Sequence, residues 1–319
     1  MMYSGSAALD YLAIEVGKSD PGESSHWQKY HSSFRFKGDG FEGIQGFGGH
    51  RKPSHGLVLT AERKLQSKFR RMGGENFSTI DTLACEITRA QNRAYDLDVL
   101  RQALSVSFLA RQAPIFRFPT ALACVIGDGF ASMTALLLAS NSASRVVLVN
   151  LSKTLLVDLW YLKLWMGAEN FEKSVDLVTG EDALLGLLEK PSDVSAREGK
   201  VIAIQAKDHR LLRYLPLTLA VNIASMQEMD PPVIAEYFND LRNTQGNQPL
   251  VFYCCNREEK FLPDGTITRF TSYPWSTNDN VLVDELCPWH QYYYSFFPPF
   301  FRPYDGPIRH RLVVLDKNS

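Results

Sequence analysis

The tetrapeptide Gly127-Asp128-Gly129-Phe130 stands between an apolar run, "ALACVIG" (121–127), and a helix-forming run, "ASMTALLLAS". That context puts backbone N–H groups at a helix N-terminus toward a ligand, and the glycines let the chain turn sharply and a ligand approach closely. Ala131 is the third small residue of a G-x-G-x-G/A pattern. A dinucleotide fingerprint wants Gly or Ala at its sixth position, where this chain has Ser132, so the match leans away from NAD. Asn150 ends the next apolar run, 21 positions after Gly129, with Leu151 beside it. There a doubly wound nucleotide fold keeps the group that reads a ribose hydroxyl. The same tetrapeptide occurs at Gly38–Phe41 without a flanking strand or helix, and reads there as a loop or lid.

Further chemistry is spread downstream. In "NIASMQEM", Asn222 and Ser225 fall at a strand's carboxyl end, where open α/β sheets hold ligands. Glu228 follows as a general base or positioning acid, or as an acidic residue favoured at the next helix N-terminus. "CPWHQYYYSFFPPFFRPYDG" (287–306) is the most aromatic stretch, and its prolines exclude a long helix. Trp289 and Tyr293 suit the wall of a binding site, with packing into the core as the alternative for most of these rings. His290 has the imidazole to accept a hydroxyl proton near neutral pH. His26 with His31, and His50 with His55, share an H-x4-H spacing, a five-residue step that a helix would have to bend to bring onto one face; their Gly-rich setting also argues against a helix, so no metal is expected.

These residues need a scaffold, and the pattern supplies one. Strands are expected at 121–127, 145–150, 200–206, 217–225 and 249–255, alternating with amphipathic helices, and "GPIRHRLVVLDK" adds a late strand. "EDALLGLLEK" is an extra helix before the third strand, and Pro231 and Pro232 open another. The fold class is α/β, a doubly wound, Rossmann-like parallel sheet. Residues 1–118 read as a mostly helical region. It contains an irregular Gly-rich stretch at 20–56, a helix in "FSTIDTLACEITRAQNRAY" capped by Ser78 or Thr79, another in "LDVLRQALSVSFLARQ", and a strand-like "IFRFP". The expected division is 1–118, a cap or lid over the substrate, and 119–319, the sheet domain with its aromatic tail.

In 319 residues, 34 Lys and Arg face 35 Asp and Glu, so no global charge draws the chain to nucleic acid or an anionic membrane. No apolar run is long enough to span a bilayer and the first residues lack a signal-peptide pattern, which leads to a cytoplasmic expectation. Five cysteines without C-x-x-C spacing fit reduced, mostly buried thiols.

Four stretches, "VIGDGFASMTALLL", "VVLVNLSKTLLVDLWYLKLWMG", "LAVNIASMQEM" and "VFYCCNREEK", occur in order over roughly 121–260. In them the chain resembles the class I S-adenosylmethionine-dependent methyltransferases and, more narrowly, the sugar O-methyltransferase family. The resemblance implies an O-methyltransferase using S-adenosylmethionine on a hydroxyl of a small molecule, a sugar or glycosylated metabolite. Gly127, Asp128, Gly129, Ala131, Asn150, Leu151, Asp208, Asn222 and Ser225 would hold the cofactor. Asp208 lies where the adenine would pack. Asn256 and Arg257 would face the cleft, with Arg257 clamping an anionic group of the acceptor. Glu228 or His290 would be the base. Two departures count against activity: the family usually has acidic residues near the positions of Val125 and Asn150. They motivate the alternative of a non-catalytic binding or scaffold protein on the same fold. An NAD-dependent oxidoreductase is the third reading.

Overall fold

The computed structural model describes residues 1–46, 50–112, 122–189 and 200–317. The strand-like segment at 115–119 and the boundary between 118 and 119 lie outside the described residues. A nine-stranded sheet organises the rest: β1 (Met2–Ser4), β2 (Leu122–Ile126), β3 (Arg145–Asn150), β4 (Val175–Val178), β5 (Val201–Gln205), β6 (Leu219–Ile223), β7 (Leu250–Arg257), β8 (Asn280–Leu286) and β9 (Ile308–Leu315). Their spatial order is β1-β4-β5-β3-β2-β6-β7-β9-β8. The strands from β4 to β7 in this order are parallel, while β1, β9 and β8 join antiparallel. From β2 the chain moves outward on one side through β3, then returns to lay β6 on the other. This is the doubly wound, Rossmann-like arrangement, with its switch point between β2 and β6.

The parallel strands are continuous apolar runs because helices cover both faces. Val125, Val146 and Leu148 join one core cluster, and their neighbours Cys124, Ile126, Val147 and Val149 join the other, as the two-residue side-chain period requires. The first face is covered by α1 (Ser6–Glu15), α3 (Gly56–Arg70), α4 (Phe77–Ala90), α5 (Leu97–Gln112), α6 (Ser132–Ala139) and α7 (Ser152–Met166). On the second face lie the helix Glu181–Glu189, the 3-10 segment Ala206–Tyr214 and the helix Pro231–Arg242, whose prolines occupy the first turn.

Several local expectations change. The stretch at 20–56 contains a short helix, α2 (Ser25–His31), and a hairpin of Arg35–Phe36 with Phe41–Glu42. His26 and His31 therefore do lie on a helix. Gly38–Phe41 forms the hairpin turn, closed by Lys37 N–H donating to the Gly40 carbonyl at 2.9 Å, and its Phe41 packs on Trp160. Helix α4 starts at Phe77, one residue before the expected cap, and Asn76 precedes it without a side-chain cap bond. The insertion before β5 is a strand and a helix together. Strands β1, β4 and β8 are additions to the expected set: the first two are short, and β8 is exposed along nearly its whole length, with no apolar alternation to mark it.

Candidate functional site

The carboxyl ends of β2 and β6 meet at the switch point, and the Gly127 turn fills the gap. Gly127 has φ +70° and Gly129 φ +73°; a Cβ on Gly127 would lie 1.9 Å from Ser225 Oγ. Phe130 and Ala131 also have positive φ, at 59° and 50°, a conformation that costs L-residues about 1–2 kcal/mol each. Side-chain contacts hold them there. The Arg93 guanidinium covers the Phe130 ring at 3.8 Å, His50 stacks on that ring, and the Ala131 N–H donates to Asp158 Oδ1 at 3.0 Å. The Asp128 carboxylate accepts the N–H groups of Met133 at 2.8 Å and Thr134 at 2.7 Å, so it caps α6 from within.

Behind the turn lies a polar cluster that sequence reasoning missed. Asn150 donates through Nδ2 to Asp158 Oδ2 at 2.8 Å, and its Oδ1 accepts from the Leu151 N–H and the Thr154 hydroxyl. Asp158 is wholly buried. Burial pushes the Asp128 carboxyl up to about 6; burial, then the proximity of Asp128, raises Asp158 well above the usual carboxylate range. Burial also lowers the Arg93 guanidinium, which donates to Gln91 and Ser132. The missing acidic residue at 150 is thus matched by an acidic one eight positions later on α7, touching Asn150. The one signal was a lone acidic residue in the apolar helix "SKTLLVDLWYLKLWM". Val125 is buried in the sheet, as expected of a residue without a polar contact.

Two cavities adjoin the turn and share Trp27, Gly127, Asn150, Ser225 and Glu228. The first, about 360 Å³, extends over Leu151, Ala206, Met229, Val233 and Tyr237, and has the more apolar lining. The second, about 180 Å³, extends past Asp128 and Gly129 toward Arg257, Lys260, His290 and Tyr304. Trp27 sits between them on α2, a position that no motif or spacing in the sequence singles out. Its segment is fastened to the start of α7 and to the turn after β6: Asp20 accepts the Ser152 N–H at 2.9 Å and the Ser152 hydroxyl, and the Ser24 hydroxyl donates to the Glu228 carbonyl.

The expected site residues divide accordingly. Gly127, Asp128, Gly129, Asn150, Leu151, Ser225, Glu228, Arg257 and His290 line one or both cavities. Ala131 is buried and its N–H is spent on Asp158. Asn222, wholly buried, donates to the Ile126 carbonyl and accepts from the Met226 N–H and Asn256 Nδ2, so it ties β2 to β6 and has no free group for a ligand. Asp208 lines neither cavity, although its neighbours Lys207 and His209 line the first; His209 is held by Asp240 and Glu236. Trp289 is core: its ring packs on Phe108 and its indole N–H donates to Ser105 Oγ at 3.2 Å. Tyr293 lines a third cavity of about 380 Å³, which shares Asp98, Arg101 and Tyr304 with the second.

Of the two candidate bases, Glu228 is occupied. It accepts from Lys260 Nζ at 2.6 Å and lies 3.3 Å from His26 Nε2. The His290 Nε2 is buried with no hydrogen-bond partner among the described residues. Burial, then Arg101 and His310, hold its imidazole well below the ordinary range, so the ring is neutral. Arg257 reaches Asp305 at 2.7 Å and stacks on Tyr304. Among the described residues, one group has metal-ligating atoms close together: Cys255, Cys287 and His290, within 4.8 Å of one another and all buried. The five cysteines are unpaired. No helix among the described residues is long and apolar enough to cross a membrane.

No family model matches the chain, and no curated protein matches it. Several solved structures similar to it are methyltransferases. The methyltransferase domain of bacterial CtHen1 is 13% identical, with a TM-score of 0.39 over 69% of this chain and 100% of that one. Magnesium protoporphyrin IX methyltransferase ChlM from Synechocystis PCC 6803, with bound S-adenosylhomocysteine, is 10% identical, with a TM-score of 0.36 over 82% and 89%. The mitomycin 7-O-methyltransferase MmcR is 12% identical, with a TM-score of 0.35 over 80% and 67%. The fold assignment rests on the chain's own strand order.

Proposed function

We propose that the protein is an S-adenosylmethionine-dependent O-methyltransferase acting on a hydroxyl of a small molecule. One observation carries this reading: two cavities of different character meet at a glycine turn on the switch point. The larger, more apolar cavity suits a nucleoside, the smaller polar one an acceptor, and both open on Gly127, where the reacting groups would meet. Gly127 admits no side chain because the Ser225 side chain fills the place a Cβ would take, which packs the turn tightly against the end of β6. The Asp128 carboxylate, which accepts the Met133 and Thr134 N–H groups, puts negative charge at the turn, which suits a cationic cofactor.

S-adenosylmethionine, when bound, supplies a methyl group activated by a positively charged sulfur. The chain's own task is to align an acceptor oxygen, keep water out and accept a proton. His290 is the proposed proton acceptor, because it is neutral and lines the acceptor side. Its low proton affinity keeps it ready to accept at a cost in basicity. Glu228, held by Lys260, is proposed to position rather than to deprotonate. A sugar hydroxyl is the acceptor suggested by the family resemblance, and α2 with Trp27 is proposed to cap the site.

Calorimetric titration tests the cofactor. S-adenosylhomocysteine should bind one to one and NAD should not. No heat at millimolar S-adenosylhomocysteine would sink this reading and favour the non-catalytic alternative. His290→Gln should retain S-adenosylhomocysteine binding and lose methyl transfer.

A further inference from the structure

The third cavity has a composition that the methyl-transfer reading does not use. Tyr293, Tyr294, Phe296 and Tyr304 supply aromatic walls, and Asp96 and Asp98 supply carboxylates. Two arginines also line it, and each is engaged by a carboxylate. Arg51 pairs with the buried Glu62 at 2.9 Å. Arg101 donates to Asp98 at 2.9 Å and to the carbonyls of Trp289 and Tyr292. Burial and the neighbouring Asp98 outweigh the through-space pull of Arg93 and Arg51 on Asp96. Its Oδ1 caps α5 by accepting the N–H groups of Asp98 and Val99, each at 3.1 Å, whereas Oδ2 is buried with no hydrogen-bond partner among the described residues. The residue is only 6% exposed.

A buried carboxylate oxygen without a partner is costly unless a donor reaches it. Aromatic side chains line the same cavity, with Tyr304 already covered by Arg101 and Arg257, and free ring faces favour a cation over a neutral donor because their quadrupoles attract positive charge. We infer that this aromatic box binds an ammonium group, with Asp96 as its counter-ion. Since Asp98, Arg101 and Tyr304 border both this cavity and the acceptor side of the methyl-transfer site, the ammonium group belongs to the acceptor itself. The substrate class is then an amine-bearing hydroxyl compound, held by its amine in the box while a hydroxyl reaches the glycine turn. This step rests on the proposed methyltransferase reading. The ammonium site itself does not.

The test is a calorimetric titration of the full chain, saturated with S-adenosylhomocysteine, using glucosamine, N-acetylglucosamine and methylammonium chloride as probes. Glucosamine should bind roughly tenfold or more tightly than its N-acetyl form, the scale of one charge-assisted hydrogen bond. Asp96→Asn should abolish that difference, while its Oδ1 still caps α5. Phe296→Ala, an exposed wall position, should weaken glucosamine severalfold without disturbing the core. Equal binding of glucosamine and N-acetylglucosamine, or unchanged discrimination in Asp96→Asn, would overturn the ammonium site. Methylammonium binding as tight as glucosamine would overturn its assignment to the acceptor. Loss of S-adenosylhomocysteine binding with amine discrimination intact would instead remove the methyltransferase reading and leave the site standing.

Discussion

A methyl group on Gly127 would reach within 1.9 Å of Ser225 Oγ and 2.5 Å of its Cβ, on a backbone at φ +70°. Gly127→Ala must therefore push Ser225 away or open the turn, and S-adenosylhomocysteine affinity should fall at least tenfold, about 1.4 kcal/mol. Gly40 has no φ penalty and nothing within 4 Å of the place a Cβ would take, so Gly40→Ala should leave the affinity unchanged. Equal losses from both, measured by calorimetry, would refute the distinction between the two tetrapeptides. Asp96 gives a second residue-level prediction. Burial, then Asp98, moves its carboxyl from an ordinary 3.8 up to about 6 in the folded chain. A carboxyl raised by folding contributes stability that is present below its unfolded value and is lost as the pH rises through the folded one. Asp96 should therefore cost the protein on the order of 3 kcal/mol between pH ~4 and ~7. Thermal melts of Asp96→Asn should lack this decline relative to wild type; parallel curves would contradict it. At this scale the glycine turn was legible, because spacing and flanking runs are local. The saturation of Asn222 was not, because it depends on partners such as the Ile126 carbonyl, 96 positions away in sequence.

Among the elements, α2 links the site to the sheet. It carries Trp27 into both cavities, and the Asp20 carboxylate before it fixes the segment to the start of α7. Asp20→Ala removes a cap from α7 and the anchor of α2 together. The expected cost is roughly 1–2 kcal/mol in stability, typical of a lost helix cap. Cofactor affinity should weaken beyond what that loss predicts, with faster amide exchange across 20–31 as the check. Protection of 20–31 equal to wild type would show that α2 is held by its other contacts. The alternation of strands and helices from β2 to β7 was legible because each strand is an apolar run between helices. Helix α2 was hidden by its shortness, seven residues in a Gly-rich setting, and β1 and β4 by their length. Strand β8 presents exposed Val281, Leu282 and Leu286 at the sheet edge, where backbone pairing with β9, not an apolar face, makes the strand.

For the whole molecule the decisive fact is the shared core. Leu12 of α1, Phe69 of α3, Ile80 and Ile87 of α4, and Leu100 and Leu104 of α5 belong to the same cluster as Val125, Val221 and Tyr253 of the sheet. Each such side chain contributes roughly 1.5–3 kcal/mol by leaving water. Helices α1, α3, α4 and α5 are thus part of what makes one sheet face apolar and buried. A fragment spanning 119–319 would expose that face and should not fold alone. Calorimetric unfolding of the full chain should then give one transition, in which the heat measured directly agrees with that inferred from its width. S-adenosylhomocysteine at about a hundred times its dissociation constant should raise the stability by about 2.7 kcal/mol and shift that single transition as a unit. Two transitions, with only the later one moved by ligand, would instead mean that the helical region and the sheet fold separately and that the shared cluster is too weak to couple them.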